Sequence, residues 1–500
     1  MRRNAQKPYT TTQAGLADRI VDELTGRIAY NAKDKAWYWY NGKVWTQDTT
    51  GHVIDQVLFE VVRTVTEEDW GSWMYSDEGD RAKHVKVIQE KKTRFVERSE
   101  KFPEIKQALG LACNRMAAEL DTADLLAFDN GVLPPSGEFR EHRPGDYITT
   151  CIPTPYIPAA AESNFPPGEK FFEEISCGDP AWVESMFTLL GYCLLRGNRD
   201  QVFFVFKGSG ANGKSALTSW IEKAFGNVVG HVLPRELQTN NRDQRQTTLA
   251  NTVSRCRFIL VDEKGGGTMD DDAVKPIVDG GHVALNKIQT GAAVYPVVGT
   301  LIMITNNLPK FSEGGIPMKR RQIAIPFDMD LPVSRQDPLL LNKLATPEGN
   351  AWLVAKVVTR MLSFLPTGER IRDHLCPRME QFTDEAIFEQ DDIARFIREN
   401  LVRDPEVKTP GADVFERYYR EKYGDELELA ERLNIRGLST LRGNEAGEFY
   451  AGLKAHGIQM SPRCRRGKAD GGGYARNVVI GWRLRTPADD ETPGGQTRIS

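Results

Sequence analysis

The seven cysteines of this 500-residue chain, Cys113, Cys151, Cys177, Cys193, Cys256, Cys376 and Cys464, include no Cys-x-x-Cys pair. That absence argues against zinc-ribbon and disulfide-framework spacings and leaves reduced thiols as the simplest reading. No uninterrupted apolar run approaches the length needed to span a bilayer, so no membrane helix is expected. The basic start Met1-Arg2-Arg3-Asn4 leads into polar residues instead of an apolar core, so it does not read as a secretory signal, and a cytoplasmic protein is expected. A dominant charge is also missing: 65 Lys and Arg stand against 69 Asp and Glu, a net charge of −4. Any contact with a polyanion must then come from local basic patches. What is present is length, enough for two to four domains that each bury a core of their own.

The most specific feature is Gly208-Ser209-Gly210-Ala211-Asn212-Gly213-Lys214-Ser215, set between the apolar run Gln201 to Phe206 and an amphipathic stretch from Ala216 to Phe225. Strand, glycine-rich loop and helix in that order form a phosphate-binding loop. The glycines let backbone N–H groups approach phosphate oxygens, and the helix N-terminus adds positive potential. Lys214 is expected to reach the β- and γ-phosphates of ATP, and the Ser215 hydroxyl to ligate Mg²⁺.

Two further apolar runs end in polar residues suited to the same chemistry. Phe258-Ile259-Leu260-Val261 ends in Asp262-Glu263, an apolar strand capped by acids, of which the first typically orders Mg²⁺ and the second polarises the attacking water. Leu301-Ile302-Met303-Ile304 ends in Thr305-Asn306-Asn307-Leu308-Pro309. An amide at the C-terminal end of a strand lies where open α/β sheets hold ligands, so Asn306 is either a water-orienting group or a turn residue. Beyond it, Arg320-Arg321 precede Gln322-Ile323-Ala324-Ile325; a guanidinium here serves either as surface charge or as a finger that stabilises a phosphoryl-transfer transition state.

Elsewhere the chain is less specific. Trp37-Tyr38-Trp39-Tyr40 and Lys43-Val44-Trp45 flank Asn41-Gly42, a hairpin signal whose aromatics suit the core of a small sheet better than a base-stacking platform. Arg81 to Lys101 reads as a helix with eight Lys or Arg against three Glu, a solvated face more than a DNA contact. Prolines between Tyr147 and Pro158, followed by Ala159-Ala160-Ala161, read as a linker that puts a domain boundary near residue 165. From about Arg372, helices are expected around Asp391 to Leu401, Ala412 to Tyr423 and Gly447 to His456. A basic hairpin-like end follows, where Arg463, Arg465, Arg466, Lys468, Arg476, Arg483 and Arg485 surround Gly471-Gly472-Gly473. Such a segment suits phosphate neutralisation better than a bare solvated loop.

Phosphate loop, strand-end acids, Thr-Asn-x-x-Pro and an Arg-Arg pair, taken with Asn130-Gly131-Val132-Leu133 and Leu190-Gly191-Tyr192, resemble the superfamily 3 helicases. More closely, the chain resembles the phage and plasmid primase-helicases related to the poxvirus nucleoside triphosphatase-primase. The resemblance implies an AAA+ P-loop core, ATP-driven DNA translocation and assembly into a homo-hexamer. It makes Lys214 and Ser215 the Walker A pair, Glu263 the catalytic acid, Asn306 the sensor, and Arg321, with Arg320 as competitor, the finger. It also implies a DNA-tracking hairpin after Lys275-Pro276-Ile277-Val278-Asp279-Gly280-Gly281-His282, with Lys287 at its basic position; His282 stands where these helicases usually have Asp. The C-terminal segment resembles the family's winged helix.

The expected organisation is therefore α/β: an α+β accessory domain over 1–165, an AAA+ helicase domain over 166–371, a winged-helix-like DNA-binding domain over 372–486 and a disordered tail over 487–500. The expected activity is ATP-dependent unwinding in replication of a phage, plasmid or mobile element, in the host cytoplasm if a phage encodes it. ATP and Mg²⁺ are the expected cofactors. Expected partners are single-stranded DNA in the pore, duplex or fork at the C-terminal domain, and a separate primase, because residues 1–165 show no carboxylate cluster of the kind that holds two metals for polymerisation. Two rivals are an initiator or loader whose ATPase is an assembly switch, and a small-molecule kinase sharing only the phosphate loop; Asn306 and the Arg320-Arg321 pair count against the second.

Overall fold

The apolar runs around Phe204, Leu260 and Ile302 lie side by side in one parallel sheet in the computed structural model of the protein. The structure describes residues 9–68, 78–238, 247–263, 267–287, 291–311, 318, 320–332, 334, 336–389, 391–432, 438–465, 474–486 and 489. Five strands follow the order Gln322–Pro326, Phe203–Lys207, Thr300–Thr305, Phe258–Glu263 and Val229–His231, each neighbouring pair parallel. The strand ending in Thr305 is thus inserted between the strand that delivers the phosphate loop and the strand that ends in the acids.

Both faces of this sheet are covered, which is why its strands read as continuous apolar runs. One face sends Phe204, Phe206, Leu260, Ile302, Ile304, Ile323 and Ile325 into a core shared with the helices Pro166–Ile175, Pro180–Cys193, Lys214–Phe225 and Pro347–Phe364. Alternate residues Phe203, Val205, Ile259, Val261, Leu301 and Met303 face the helices Thr247–Arg255 and Asp271–Val278. Each fully buried side chain of this kind is worth about 1.5–3 kcal/mol, so the sheet is held as a rigid slab. Trp220 and Trp352 stack at 6.0 Å and 2° inside the first core. Gly191 is required by packing: a Cβ there would sit 2.7 Å from the Met361 backbone nitrogen and 3.0 Å from the Val357 carbonyl, where the helices Pro180–Cys193 and Pro347–Phe364 cross.

The N-terminal hairpin is core, as its alternation suggested. Strands Ile28–Asn31, Ala36–Tyr40 and Trp45–Gln47 form an antiparallel sheet in which Tyr38 and Trp45 are buried, and Trp45 stacks on Tyr147 at 5.4 Å. The stretch expected to be a linker is instead stitched down. Ile152 and Tyr156 are buried, the Thr154 hydroxyl donates to the Ala224 carbonyl at 2.7 Å, and the Asn130 side chain holds the Tyr156 backbone through both its N–H and its carbonyl. Its prolines shape an extended segment lying on the helix Lys214–Phe225. By its internal contacts the chain divides into two compact units, Met1–Thr383 and Asp384–Ser500.

The second unit packs the helices Asp392–Asn400, Gly411–Arg432 and Leu438–Ala455 with an antiparallel sheet ordered Leu401–Thr409, Tyr474–Leu484, Met460–Arg465. Its core includes Phe396, Val414, Tyr418, Phe449, Leu453 and Val479. The strand Leu401–Thr409 was not expected; Pro405 hides it, and a proline is tolerated there because the strand is at the edge and its pairing is irregular. The expected disordered tail lies outside the described residues apart from Asp489. Among the described residues, no helix is long and apolar enough to cross a membrane.

Candidate nucleotide and DNA sites

The loop Gly208 to Ser215 leaves the strand Phe203–Lys207 at the C-terminal edge of the sheet and ends in the helix Lys214–Phe225. Glycine is obligatory where the loop is tightest. Gly213 takes φ +85°, and a Cβ on it would collide with Ile175; one on Gly208 would collide with the Asn212 side chain and the Phe327 carbonyl. Asn212 is buried and donates to that carbonyl at 2.9 Å, tying the loop to the end of the neighbouring strand. No side chain caps the helix Lys214–Phe225, so its first N–H groups stay available to an anion.

Lys214 is 5% exposed and donates to the Gly208 carbonyl at 2.6 Å and to Asn212 Oδ1 at 2.9 Å. Burial holds its ammonium below the usual lysine value, with the Asp262 carboxylate opposing that shift. A buried cation whose acceptors are neutral oxygens is suited to exchange them for phosphate oxygens. Gly210, Ala211, Asn212, Gly213, Lys214 and Ser215 line one cavity of about 350 Å³ together with Asp262, Thr305 and Asn306. Gly208 and Ser209 belong to the same loop but do not line it. Asp262 and Asn306 are exposed, and Glu263 pairs in register with Thr305 on the inserted strand. Three segments of sequence are thus brought to one opening by the strand order. Ser215 and Asp262 supply oxygens of the kind a hard divalent cation takes.

The two candidate fingers separate. Arg321 is 6% exposed, and its Nε and Nη2 both donate to Asp279 Oδ1 at 2.8 Å. Arg320 is exposed, and its carbonyl accepts from Arg372 Nη2 at 2.7 Å. Both stand at the N-terminal end of the strand Gln322–Pro326, where the Phe203 N–H donates to the Arg321 carbonyl at 2.9 Å. The loop Gly208 to Ser215 meets the opposite end of that strand at Phe327. Six residues of extended chain span roughly 20 Å, beyond the reach of one side chain, so neither arginine reaches the cavity lined by Lys214 and Asp262 in its own chain.

At that same far edge the strands His282–Lys287 and Gly291–Pro296 pair as an antiparallel hairpin with Lys287 opposite Gly291; residues 288–290 lie outside the described residues. The hairpin is rooted firmly. Asn198 is buried, donates to the Val278 carbonyl at 2.8 Å and the Val202 carbonyl at 2.5 Å, and accepts from the Tyr192 hydroxyl at 2.8 Å.

In the second unit, Arg463 pairs in backbone register with Arg476 and Arg465 with Tyr474, while Arg466 and Lys468 lie outside the described residues. Arg483, in the same strand as Arg476, is tied to Asp404 and bidentate to Asp489, and Arg485 donates to the Arg398 carbonyl at 3.3 Å. Those two are therefore structural, a distinction the run of basic residues did not reveal.

Comparison with known proteins bears on parts of the chain. Residues 17–177 match the family described as D5 N terminal like. A stretch of 106 residues, 21% of this chain, is 35% identical to the putative helicase L207/L206 of Acanthamoeba polyphaga mimivirus and spans 11% of that protein's length. Among solved structures, the A form apo structure of the NrS-1 C terminal region is similar with a TM-score of 0.46 and 9% identity, over 94% of this chain and 99% of that one. The apo structure of the NrS-1 C terminal region (305-718) gives 0.44 and 11%, over 94% and 100%.

Proposed function

We propose that this protein is an ATP-hydrolysing DNA helicase of the replication type, built as an AAA+ core of superfamily 3 character with a winged helix at its C-terminus. The observation that carries the reading is the convergence of Lys214, Asp262 and Asn306 on one cavity at the C-terminal edge of the sheet. The match of residues 17–177 and the partial similarity to a putative viral helicase support a setting in viral or phage replication. The sheet order supports the AAA+ assignment, because an inserted strand is what puts Asn306 between the phosphate loop and the acids.

In this reading Lys214 gives up the Gly208 and Asn212 oxygens for the β- and γ-phosphates, and the N-terminus of the helix Lys214–Phe225 neutralises the rest. Ser215 and Asp262 hold Mg²⁺, which when bound spreads the charge of the transferring phosphoryl group. Glu263 polarises the attacking water and Asn306 orients it. Arg320 completes the site of a neighbouring subunit, since it cannot reach its own, and this ties activity to a ring, a homo-hexamer. The hairpin with Lys287 grips single-stranded DNA in the pore. Arg476, exposed on the strand Tyr474–Leu484, supports duplex or fork binding by the wing, because an exposed guanidinium can neutralise a phosphate. A separate primase and a host-cytoplasmic setting complete the proposal. Measuring ATP binding and hydrolysis separately in Lys214→Ala and Glu263→Gln tests it: the first should lose binding, the second should keep binding and lose turnover. Undiminished hydrolysis by Glu263→Gln would remove the assignment.

A further inference from the structure

A larger cavity than the nucleotide site, about 580 Å³, opens on the first unit well away from the phosphate loop. One wall is N-terminal, Asn31 to Asp34 and Ala117 to Thr122; the other is Arg196, Ser254, Arg255 and the closing residues of the hairpin, Tyr295 and Pro296. What singles it out is Arg196. The interior arginines of this unit are matched: Arg19 with Glu68, Arg255 with Asp34, Arg257 with Asp124 and Arg321 with Asp279. Arg196 is half-buried, yet among the described residues it donates no hydrogen bond and forms no ion pair.

Its natural partner is at hand and is used otherwise. Asp121, on the opposite wall, accepts from the Thr149 N–H at 2.7 Å with one oxygen and from the Thr149 hydroxyl at 2.5 Å with the other. Burial raises the Asp121 carboxyl above the usual range in spite of the nearby Arg255 and Arg196 charges. Arg255 spends Nη2 on Asp34 and on the Tyr38 hydroxyl, each at 3.0 Å, and brings a second guanidinium to the same wall. A partly desolvated guanidinium with its planar set of donors turned into a roomy cavity matches one ligand chemistry above others, a phosphate oxyanion taken by two parallel N–H bonds.

We propose that this cavity is a phosphate-binding site anchored by Arg196, which takes either a backbone phosphate of a strand passing the hairpin or a free phosphate group. The site stands on its own walls and on Arg196; only its assignment to DNA depends on the helicase reading.

The test uses the full-length protein with Arg196→Ala and Arg196→Lys. In one arm a fluorescent oligothymidylate is titrated over a salt series. Arg196→Ala should weaken binding about tenfold and reduce the slope of log affinity against log salt by about 0.7, with partial recovery in Arg196→Lys and unchanged ATP binding at the phosphate loop. In the other arm, inorganic phosphate is added in a Lys214→Ala background, where the phosphate loop does not compete, and melting temperature is followed. A phosphate-dependent rise that disappears on adding Arg196→Ala, with oligonucleotide binding unchanged, assigns the site to free phosphate instead of DNA. Arg196 makes no hydrogen bond or ion pair among the described residues, so the melting temperature of unliganded Arg196→Ala should change little. The proposal is overturned if neither ligand responds to Arg196→Ala, or if the variant melts lower without either ligand effect, which would make Arg196 a structural residue. Failure of the wild-type protein to bind oligonucleotide would count against the helicase reading and leave the phosphate arm to decide this one.

Discussion

The two edges of the central sheet are finished in opposite ways. At the C-terminal edge the strands end around an open cavity, lined by the start of an uncapped helix, by Asp262 and Asn306, and by a lysine resting on neutral oxygens. At the N-terminal edge the strand ends are locked by a buried Arg321–Asp279 pair and by Asn198, which ties together Tyr192, Val202 and Val278. The open edge is arranged to exchange partners with a ligand, and the locked edge to carry the hairpin without yielding. Rigid strands of one sheet join the two edges.

The sharpest way to break this contrast is at the open edge. Lys214→Ala should weaken ATP binding by on the order of 100-fold or more, the cost of removing one buried charge from a phosphate, with little change in melting temperature. Glu263→Gln should lower turnover by about 10² to 10⁴ while ATP still binds. Calorimetric titration beside a phosphate-release assay separates the two defects. At the locked edge the sign reverses: Asp279→Ala leaves a buried guanidinium without its carboxylate and should cost about 3 kcal/mol in denaturant unfolding, whereas Arg320→Ala, one residue from that guanidinium in sequence but exposed, should cost nothing measurable. Equal losses from both would dissolve the distinction between the two arginines.

A smaller effect extends the comparison to the second unit. Arg476 is exposed opposite Arg463, while Arg483 of the same strand is held by Asp404 and Asp489. Arg476→Ala should flatten the salt dependence of duplex DNA binding by about 0.9 in slope, and Arg483→Ala should change it little. Filter binding between 50 and about 200 mM salt, a range over which such contacts are strongly screened, reads the difference.

The open edge was legible in the sequence because its chemistry is local. Gly208 to Ser215 are contiguous, and the acids and Asn306 sit directly at the ends of apolar runs. The locked edge was not, since Asp279 and Arg321 are 42 positions apart and nothing in either segment names the other. Choosing between Arg320 and Arg321 was harder still: both lie in the turn before the strand Gln322–Pro326, and only the fold shows that Arg321 is buried against Asp279 while Arg320 is exposed. Helix Leu438–Ala455 begins nine residues before Gly447, where it was expected, because Gly443, Gly447 and Gly452 mask it; Gly452 is there because a Cβ would strike Ile393. Arg196 carried no signal, as its meaning lies in the partners it does not have.

The central claim is that the arginine at the far edge of the sheet can serve only another subunit's nucleotide, and subunit mixing tests it most directly. Lys214→Ala and Arg320→Ala proteins should each hydrolyse ATP poorly alone. Mixed under conditions where exchange of subunits is verified, they should recover part of the wild-type rate, because some interfaces then combine an intact phosphate loop with an intact Arg320. Absence of recovery despite exchange, or a wild-type rate from Arg320→Ala alone, would contradict the account.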